Sequence, residues 1–97
     1  MYDLNENIIN VYGTRIGELT GKPNIACKGL VRFSIAKYRQ QKQIDENLPL
    51  QFTEFLEILS IYIRQMLKDA NITNVDNLME KLISELFEQQ AMFTFSV

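Results

Sequence analysis

Basic side chains are the residues of this chain best suited to chemistry. Residues 15–42 contain seven Lys and Arg residues and one acid, Glu18, whereas residues 43–97 contain nine acids and three bases. At about 100° per residue of a helix, four of the bases share one narrow arc, and a basic helical face suits the phosphates of nucleic acid. We therefore predict a nucleic-acid surface formed by Lys28, Arg32, Arg39 and Lys42, with Gln40, Lys22 and Arg15 beside it. Alternatively, the basic and acidic halves pair with each other.

Residues for catalysis are scarce. The chain has no histidine and a single cysteine, Cys27, among apolar neighbours. Histidine is the usual acid–base group near neutral pH, and a thiol needs an activating neighbour to act as a nucleophile. The acidic pair Asp45 and Glu46 lies in a polar stretch, which indicates solvated side chains in a connecting loop and not a catalytic pair. We predict a non-enzymatic protein with no metal site and no cofactor.

One segment carries a resemblance to a known motif. Residues 15–21, Arg-Ile-Gly-Glu-Leu-Thr-Gly, are followed by Lys22, Pro23 and the basic stretch. This arrangement resembles the first helix and turn of helix-turn-helix regulators, including the MerR-like ones, and implies that the second helix reads duplex DNA. The resemblance is confined to the N-terminal half. Lys22 stands where such motifs usually have an apolar residue, and nothing after Lys42 resembles a wing or an effector domain.

Apolar spacing predicts the elements that position these residues. Apolar residues recur at steps of three and four in several stretches, most regularly from Val75 to Phe87. That spacing is typical of amphipathic helices. We therefore predict a mainly α chain with about four helices, at 5–20, 24–42, 49–69 and 74–90, and a short extended segment at the C-terminus.

The stretch around residues 30–38 allows two interpretations. Val31, Phe33 and Ile35 alternate with polar residues, as in a half-buried strand, which gives an α+β alternative with a strand at 30–38. A helix instead sorts the charges, and we favour it. In that helix the predicted buried arc comprises Ala26, Cys27, Leu30, Val31, Phe33 and Tyr38, while Ile35 and Lys37 fall outside the pattern.

The C-terminal half predicts an acidic helical hairpin over 49–90 and an apolar tail over 91–97. The helix at 49–69 is more apolar than one buried face requires, because Ile58 and Ile61 lie off its main stripe. The tail adds Phe93 and Phe95. Large apolar side chains that are not buried in the core often form an interface with another chain. We therefore predict a dimer or partner interface at Ile58, Ile61, Phe93 and Phe95, and a homodimer.

Length and composition set the class of protein. The 97 residues, 46% hydrophobic and 23% charged, fit one globular domain over 1–97. No stretch is apolar enough to span a bilayer, and the acidic N-terminus is unlike a secretory signal. With a single cysteine, these features predict a cytoplasmic protein, and the Asn, Ile, Gln and Lys content suggests a bacterial or phage source. The expected function is DNA binding, as a regulator. The alternative is a protein-binding adaptor or inhibitor, for example a phage-encoded regulator of a host machine.

Overall fold

The computed structural model describes residues 3–94, and all regular structure there is helical. The helices are α1 (Leu4–Thr20), α2 (Asn24–Lys42), α3 (Phe52–Glu57), a π-helix π1 (Ile58–Ile63), α4 (Arg64–Asp69), α5 (Val75–Glu88) and α6 (Ala91–Thr94). The chain divides into two compact units, which we call unit 1 (Met1–Leu48) and unit 2 (Pro49–Val97). The expectation of one domain over 1–97 stays a prediction.

Unit 1 is an antiparallel pair of helices. At the N-terminus of α1, Asp3 Oδ1 accepts a hydrogen bond from the Glu6 N–H at 3.2 Å. At its C-terminus, Gly21 has φ 76°, a left-handed conformation that suits glycine, and its N–H donates to Gly17 O at 2.8 Å. The chain then turns through Lys22 and Pro23 directly into α2. Such a short connection brings the two helices side by side.

Unit 2 is built from one long helical segment followed by α5. In the long segment, α3, π1 and α4 follow one another without a break. Gln51 caps α3 in a capping box, in which its N–H donates to Glu54 Oε1 at 3.3 Å. The segment ends at Asp69, and a turn with positive φ at Asn71 and Asn74 leads into α5. The core of unit 2 is aliphatic and aromatic, and its fully buried side chains include Leu50, Phe55, Ile58, Leu59, Ile63, Leu67, Leu82 and Leu86.

The π-helix explains which residues of the long segment are buried. Phe55, Leu59, Ile63 and Leu67 are all buried and are spaced four apart. In a regular α-helix each step of four rotates by about 40°, so this row would drift around the axis. A π turn contains more residues than an α turn, and the row therefore stays on one side. The same widening accommodates Ile58, which is fully buried.

The mainly α prediction is confirmed, and three details differ from it. The strand alternative for 30–38 is wrong, because those residues lie inside α2. The helix predicted to start at residue 49 starts at Phe52, because Gln51 is its cap. The predicted extended C-terminal segment is helical at Ala91–Thr94, and residues 95–97 lie outside the described part of the chain.

None of the helices described between residues 3 and 94 is long and apolar enough to cross a membrane.

Candidate functional site: the outer face of α2

The position of α2 is set by glycines on α1. A Cβ built on Gly13 would lie 2.7 Å from the Lys28 Cα and 2.9 Å from the Lys28 N, and one built on Gly17 would lie 3.2 Å from the Lys22 O. The distances at Gly13 are shorter than real Cβ contacts, so only glycine allows this approach to α2, whereas the contact at Gly17 is tight and would need a small shift of its neighbour. Since Gly13 faces Lys28 and Gly17 faces Asn24, the contacts advance by one helical turn on each helix. The helices therefore run antiparallel.

This arrangement differs from the helix-turn-helix that the sequence resembles. In that motif the two helices cross at about 90–120° and contact each other near the turn. In unit 1 the contact continues away from the turn, from Asn24 to Lys28 and on to Arg32, which pairs with Glu6 near the start of α1. The geometry is that of a helical hairpin.

The buried face of α2 is rotated from the predicted arc. Cys27, Val31 and Tyr38 are buried as predicted, but Ala26 and Phe33 are exposed and Leu30 is half-buried. Ile35, which did not fit the predicted arc, is buried. The buried set is completed by two polar residues, Ser34 and Arg39. The Ser34 hydroxyl donates to Leu30 O at 2.9 Å, which satisfies it within the helix.

Arg39 was predicted to lie on the exposed basic face, and this is wrong. Its side chain is only 2% exposed. Its Nη1 donates to two backbone carbonyls, Asp45 O at 2.8 Å and Leu48 O at 2.6 Å. Its own carbonyl accepts from the Ile44 N–H at 2.9 Å. Arg39 therefore holds the connection after α2 against the helix and does not face solvent.

Arg32 is exposed but engaged. Its two terminal guanidinium nitrogens, Nη1 and Nη2, donate to the two oxygens of the Glu6 carboxylate, and the Nη2–Oε2 distance is 3.1 Å. The hydrogen bonds from Arg32 lower the pKa of Glu6, and the same bonds raise the pKa of Arg32. A bidentate pair of this kind fixes both side chains and cancels most of their net charge. Arg32 therefore links α2 to α1 through Glu6, and its charge is largely neutralised there.

The other predicted nucleic-acid residues are spread over unit 1. Lys28 is half-buried at the contact with Gly13, and Arg15 lies 3.7 Å from the Glu18 carboxylate. Lys22, Lys42 and Gln40 are exposed, and the Lys42 Nζ sits 5.8 Å from the centre of the Tyr38 ring. The structure therefore does not assemble the seven residues into one stripe.

The outer face of α2 carries the feature that the sequence interpretation missed. It consists of Ile25, Ala26, Gly29, Phe33 and Ala36, all exposed, which span an arc of about 100° on the helix. Ile25 is 87% exposed and Phe33 is 55% exposed. Arg32 and Lys37 lie at the two edges of this arc, and Gln40 extends it toward the C-terminus. The signal in the sequence was the spacing of Cys27, Val31, Ile35 and Tyr38, a regular stripe that leaves Phe33 outside.

At Gly29 on this face, no close contact within residues 3–94 requires a glycine. A Cβ built on Gly29 meets no atom within 4 Å. Glycine in the middle of a helix costs about 1 kcal/mol relative to alanine. At Gly13 the close approach of α2 explains why glycine is present despite this cost. At Gly29 no contact within residues 3–94 gives such a reason. The α2 backbone is therefore uncovered at Gly29, close to the exposed Phe33.

The residues predicted as a partner interface in unit 2 have separate locations. Ile58 was expected to be exposed, and this is wrong, because it is fully buried in π1. Ile61 is 56% exposed. Phe93 is buried, and its ring contacts Phe52 and Phe55 at centroid distances of 5.8 and 6.2 Å. Phe95 lies outside the described residues.

Other chemistry finds little support in residues 3–94. Cys27 is buried with a free thiol. No group of three or more acids and cysteines in this range is arranged to hold a metal ion. An open depression beside the α4–α5 turn is lined by Lys68, Ile72, Asn74, Val75, Asp76 and Asn77.

Comparison of the chain with protein-family models, with curated proteins and with solved structures finds no match.

Proposed function

We propose that this chain is a non-catalytic protein-binding module and that the outer face of α2 is its docking surface. The observation that carries the proposal is the exposure of Phe33 and Ile25 beside the unexplained Gly29. A contiguous apolar face on a small protein is a common mark of an interface. A helix groove with a bare backbone position is also a common way to receive a helical partner.

The charges of α2 define the kind of partner. The helix contains five bases and no acid. Lys37 at one edge of the face engages no ion pair within residues 3–94. A complementary partner presents apolar anchors with acids beside them, because opposite charges at the rim speed association and exclude unsuitable partners. We therefore propose an acidic amphipathic helix as the ligand.

A displayed library of helical peptides tests the proposal. Selection on the full chain should enrich peptides that combine Leu, Ile or Phe anchors with Asp or Glu. These peptides should lose binding to the Phe33→Asp variant, since a buried carboxylate opposes the apolar anchor. Ile61→Asp is the matched control, because Ile61 is 56% exposed and lies in unit 2. Peptides that bind Phe33→Asp as well as the parent chain contradict the proposal.

Binding to duplex DNA is the second candidate function. The observation that favours it is the exposure of Lys22, Lys37 and Lys42 together with Gln40. If these lysines contact phosphates, log affinity should fall with log salt at a slope of about −0.9 per contact. Replacing Lys37 and Lys42 with alanine should then flatten the slope by about two units, and Phe33→Asp should leave it unchanged. A regulatory role in a bacterial or phage cytoplasm belongs to both candidates, and a chain with a single cysteine needs no oxidising compartment for an internal disulfide.

A further inference from the structure

The outer face of α5 is chemically complementary to the outer face of α2. Glu80, Ser84, Phe87 and Glu88 are all exposed and span an arc of about 100° on α5. Phe87 is 51% exposed although its ring also contacts Phe52 at a centroid distance of 5.3 Å. Each of the two helices thus presents one half-exposed phenylalanine on its solvent-facing surface.

The charges on the two helices have opposite signs. The α5 helix contains four acids and one base, Lys81, whereas α2 contains five bases and no acid. Lys37 flanks Phe33 on α2, and Glu80 and Glu88 flank Phe87 on α5. Contact between the two faces would place acids opposite bases around paired aromatic rings, and such complementarity favours association over repulsion.

The sizes of the side chains also match. Gly29 and Ala36 leave the α2 backbone accessible beside Phe33, and Ser84 is the smallest side chain of the α5 face. A large ring on one helix therefore has a small residue available on the other. Packing of this kind, with knobs next to small residues, lets two helices approach closely.

We infer that the partner of the α2 outer face is a second copy of this chain, which docks through the outer face of its α5. This inference rests on the proposed function, because it names the occupant of the same surface. It differs from the dimer expected from Ile58 and Ile61, since Ile58 is buried and neither residue belongs to the α2 or α5 face. Self-association of this type joins two different surfaces, so it produces assemblies of two or more chains.

Charge reversal tests the inference directly. In variant A, Lys37→Glu and Gln40→Glu make the α2 face acidic, and in variant B, Glu80→Lys and Glu88→Lys make the α5 face basic. All four positions are exposed, so the fold should tolerate the changes, and circular dichroism and thermal melting check this. Each variant alone has like charges at the contact, and we expect its dissociation constant to rise about 10- to 100-fold. A mixture of A and B restores opposite charges at every α2–α5 contact and should associate again.

Sedimentation of the full chain over about 5–500 μM provides the measurement, because that range covers dissociation constants near micromolar. The parent chain should rise above its monomer mass of 11.3 kDa, and the rise should weaken at high salt. Phe33→Asp and Phe87→Asp should each remain monomeric, whereas Ile61→Asp should associate normally.

Two results overturn the inference. The first is a parent chain that stays monomeric over the whole range, and the second is an assembly that survives in A, B and Phe33→Asp. A monomeric parent that still selects acidic peptides through Phe33 overturns the second copy as partner but keeps the proposed function. A parent that associates and fails to select peptides, with assembly lost in Ile61→Asp alone, overturns both.

Discussion

Units 1 and 2 hold their helices together by different means. In unit 1 the α1–α2 contact adds to its buried apolar side chains, such as Ile8 and Val31, the backbone approach at Gly13 and Gly17 and the Arg32–Glu6 ion pair. Unit 2 relies on side-chain volume, with an aliphatic row along the long helical segment and a cluster of aromatic rings. The contrast shows that the packing of two helices can be specified by large side chains that fill the contact or by glycines whose missing Cβ allows the backbones to approach.

Loss of a core ring in unit 2 should have the largest effect. Phe55 is fully buried, and its ring contacts that of Phe93. Phe55→Ala should lower the free energy of unfolding by about 3–5 kcal/mol, because it removes a large apolar side chain and leaves a cavity. Urea denaturation measures the change. Phe87→Ala is the control, and since Phe87 is half-exposed its loss should be clearly smaller; equal losses would contradict the assignment of the core.

Loss of the buried guanidinium in unit 1 should come next. Arg39→Met keeps much of the side-chain volume but leaves Asp45 O and Leu48 O without this donor. We expect a loss of about 1.5–3 kcal/mol, as is typical of hydrogen bonds from charged groups. Hydrogen exchange should show faster opening of residues 43–48. If stability and hydrogen exchange are both unchanged, the hydrogen bonds from Arg39 to Asp45 O and Leu48 O do not stabilise the connection.

The two kinds of glycine in unit 1 should respond with opposite signs. Gly13→Ala forces the Cβ against the backbone of Lys28, and overpacking of this kind costs about 1–3 kcal/mol, reduced by the higher helix propensity of alanine. Gly29→Ala meets open space and should stabilise α2 by up to about 1 kcal/mol. Thermal melting of both variants measures the difference. A stabilised Gly13→Ala would show that the helices are free to separate.

The exposed ion pair of unit 1 should contribute least. Because Arg32 lowers the pKa of Glu6 below its ordinary value of 4.5, the pair stabilises the folded state above that pH, and its contribution is lost as the pH falls through the lowered value. Both side chains are about half exposed, so the gain should stay below about 1 kcal/mol. The stability difference between the parent and Glu6→Gln should vanish at the acidic end of a pH series; a constant difference would refute the ionic origin.

The same contrast decides what could be predicted from the sequence. In unit 2 the apolar period from Val75 onward is strong, and the α5 bounds fell within two residues of the prediction. The π-helix could not be predicted, because regular α spacing places Ile58 off the buried stripe, and only the wider π turn brings its side chain into the core. In unit 1 the glycines of α1 carry no side chain and so leave no signal in the apolar pattern, although they are what lets α2 approach. With Gly13 and Gly17 as the contact points for α2, the face of α2 that packs on α1 differs from the predicted arc. Phe33 lies outside that face and is exposed.

The candidate site was therefore only partly predictable. The basic character of residues 15–42 is visible in composition, but composition does not tell which cations are used internally. Arg39 donates to its own loop and Arg32 to Glu6, and both engagements join residues from different segments of the fold. Lys37 was set aside because it interrupted the assumed stripe, and it is the lysine at the edge of the exposed apolar face.

The close approach at Gly13 also limits how this protein can change in evolution. Every missense change of a glycine codon introduces a Cβ, so no single-step replacement at position 13 avoids the Lys28 backbone. A replacement at this codon is therefore unfavourable unless α2 shifts as a whole, whereas Phe33, Ala36 and Gln40 are exposed and meet no such constraint within residues 3–94. We expect homologues to retain glycine at position 13 while the outer face of α2 diverges with its partner.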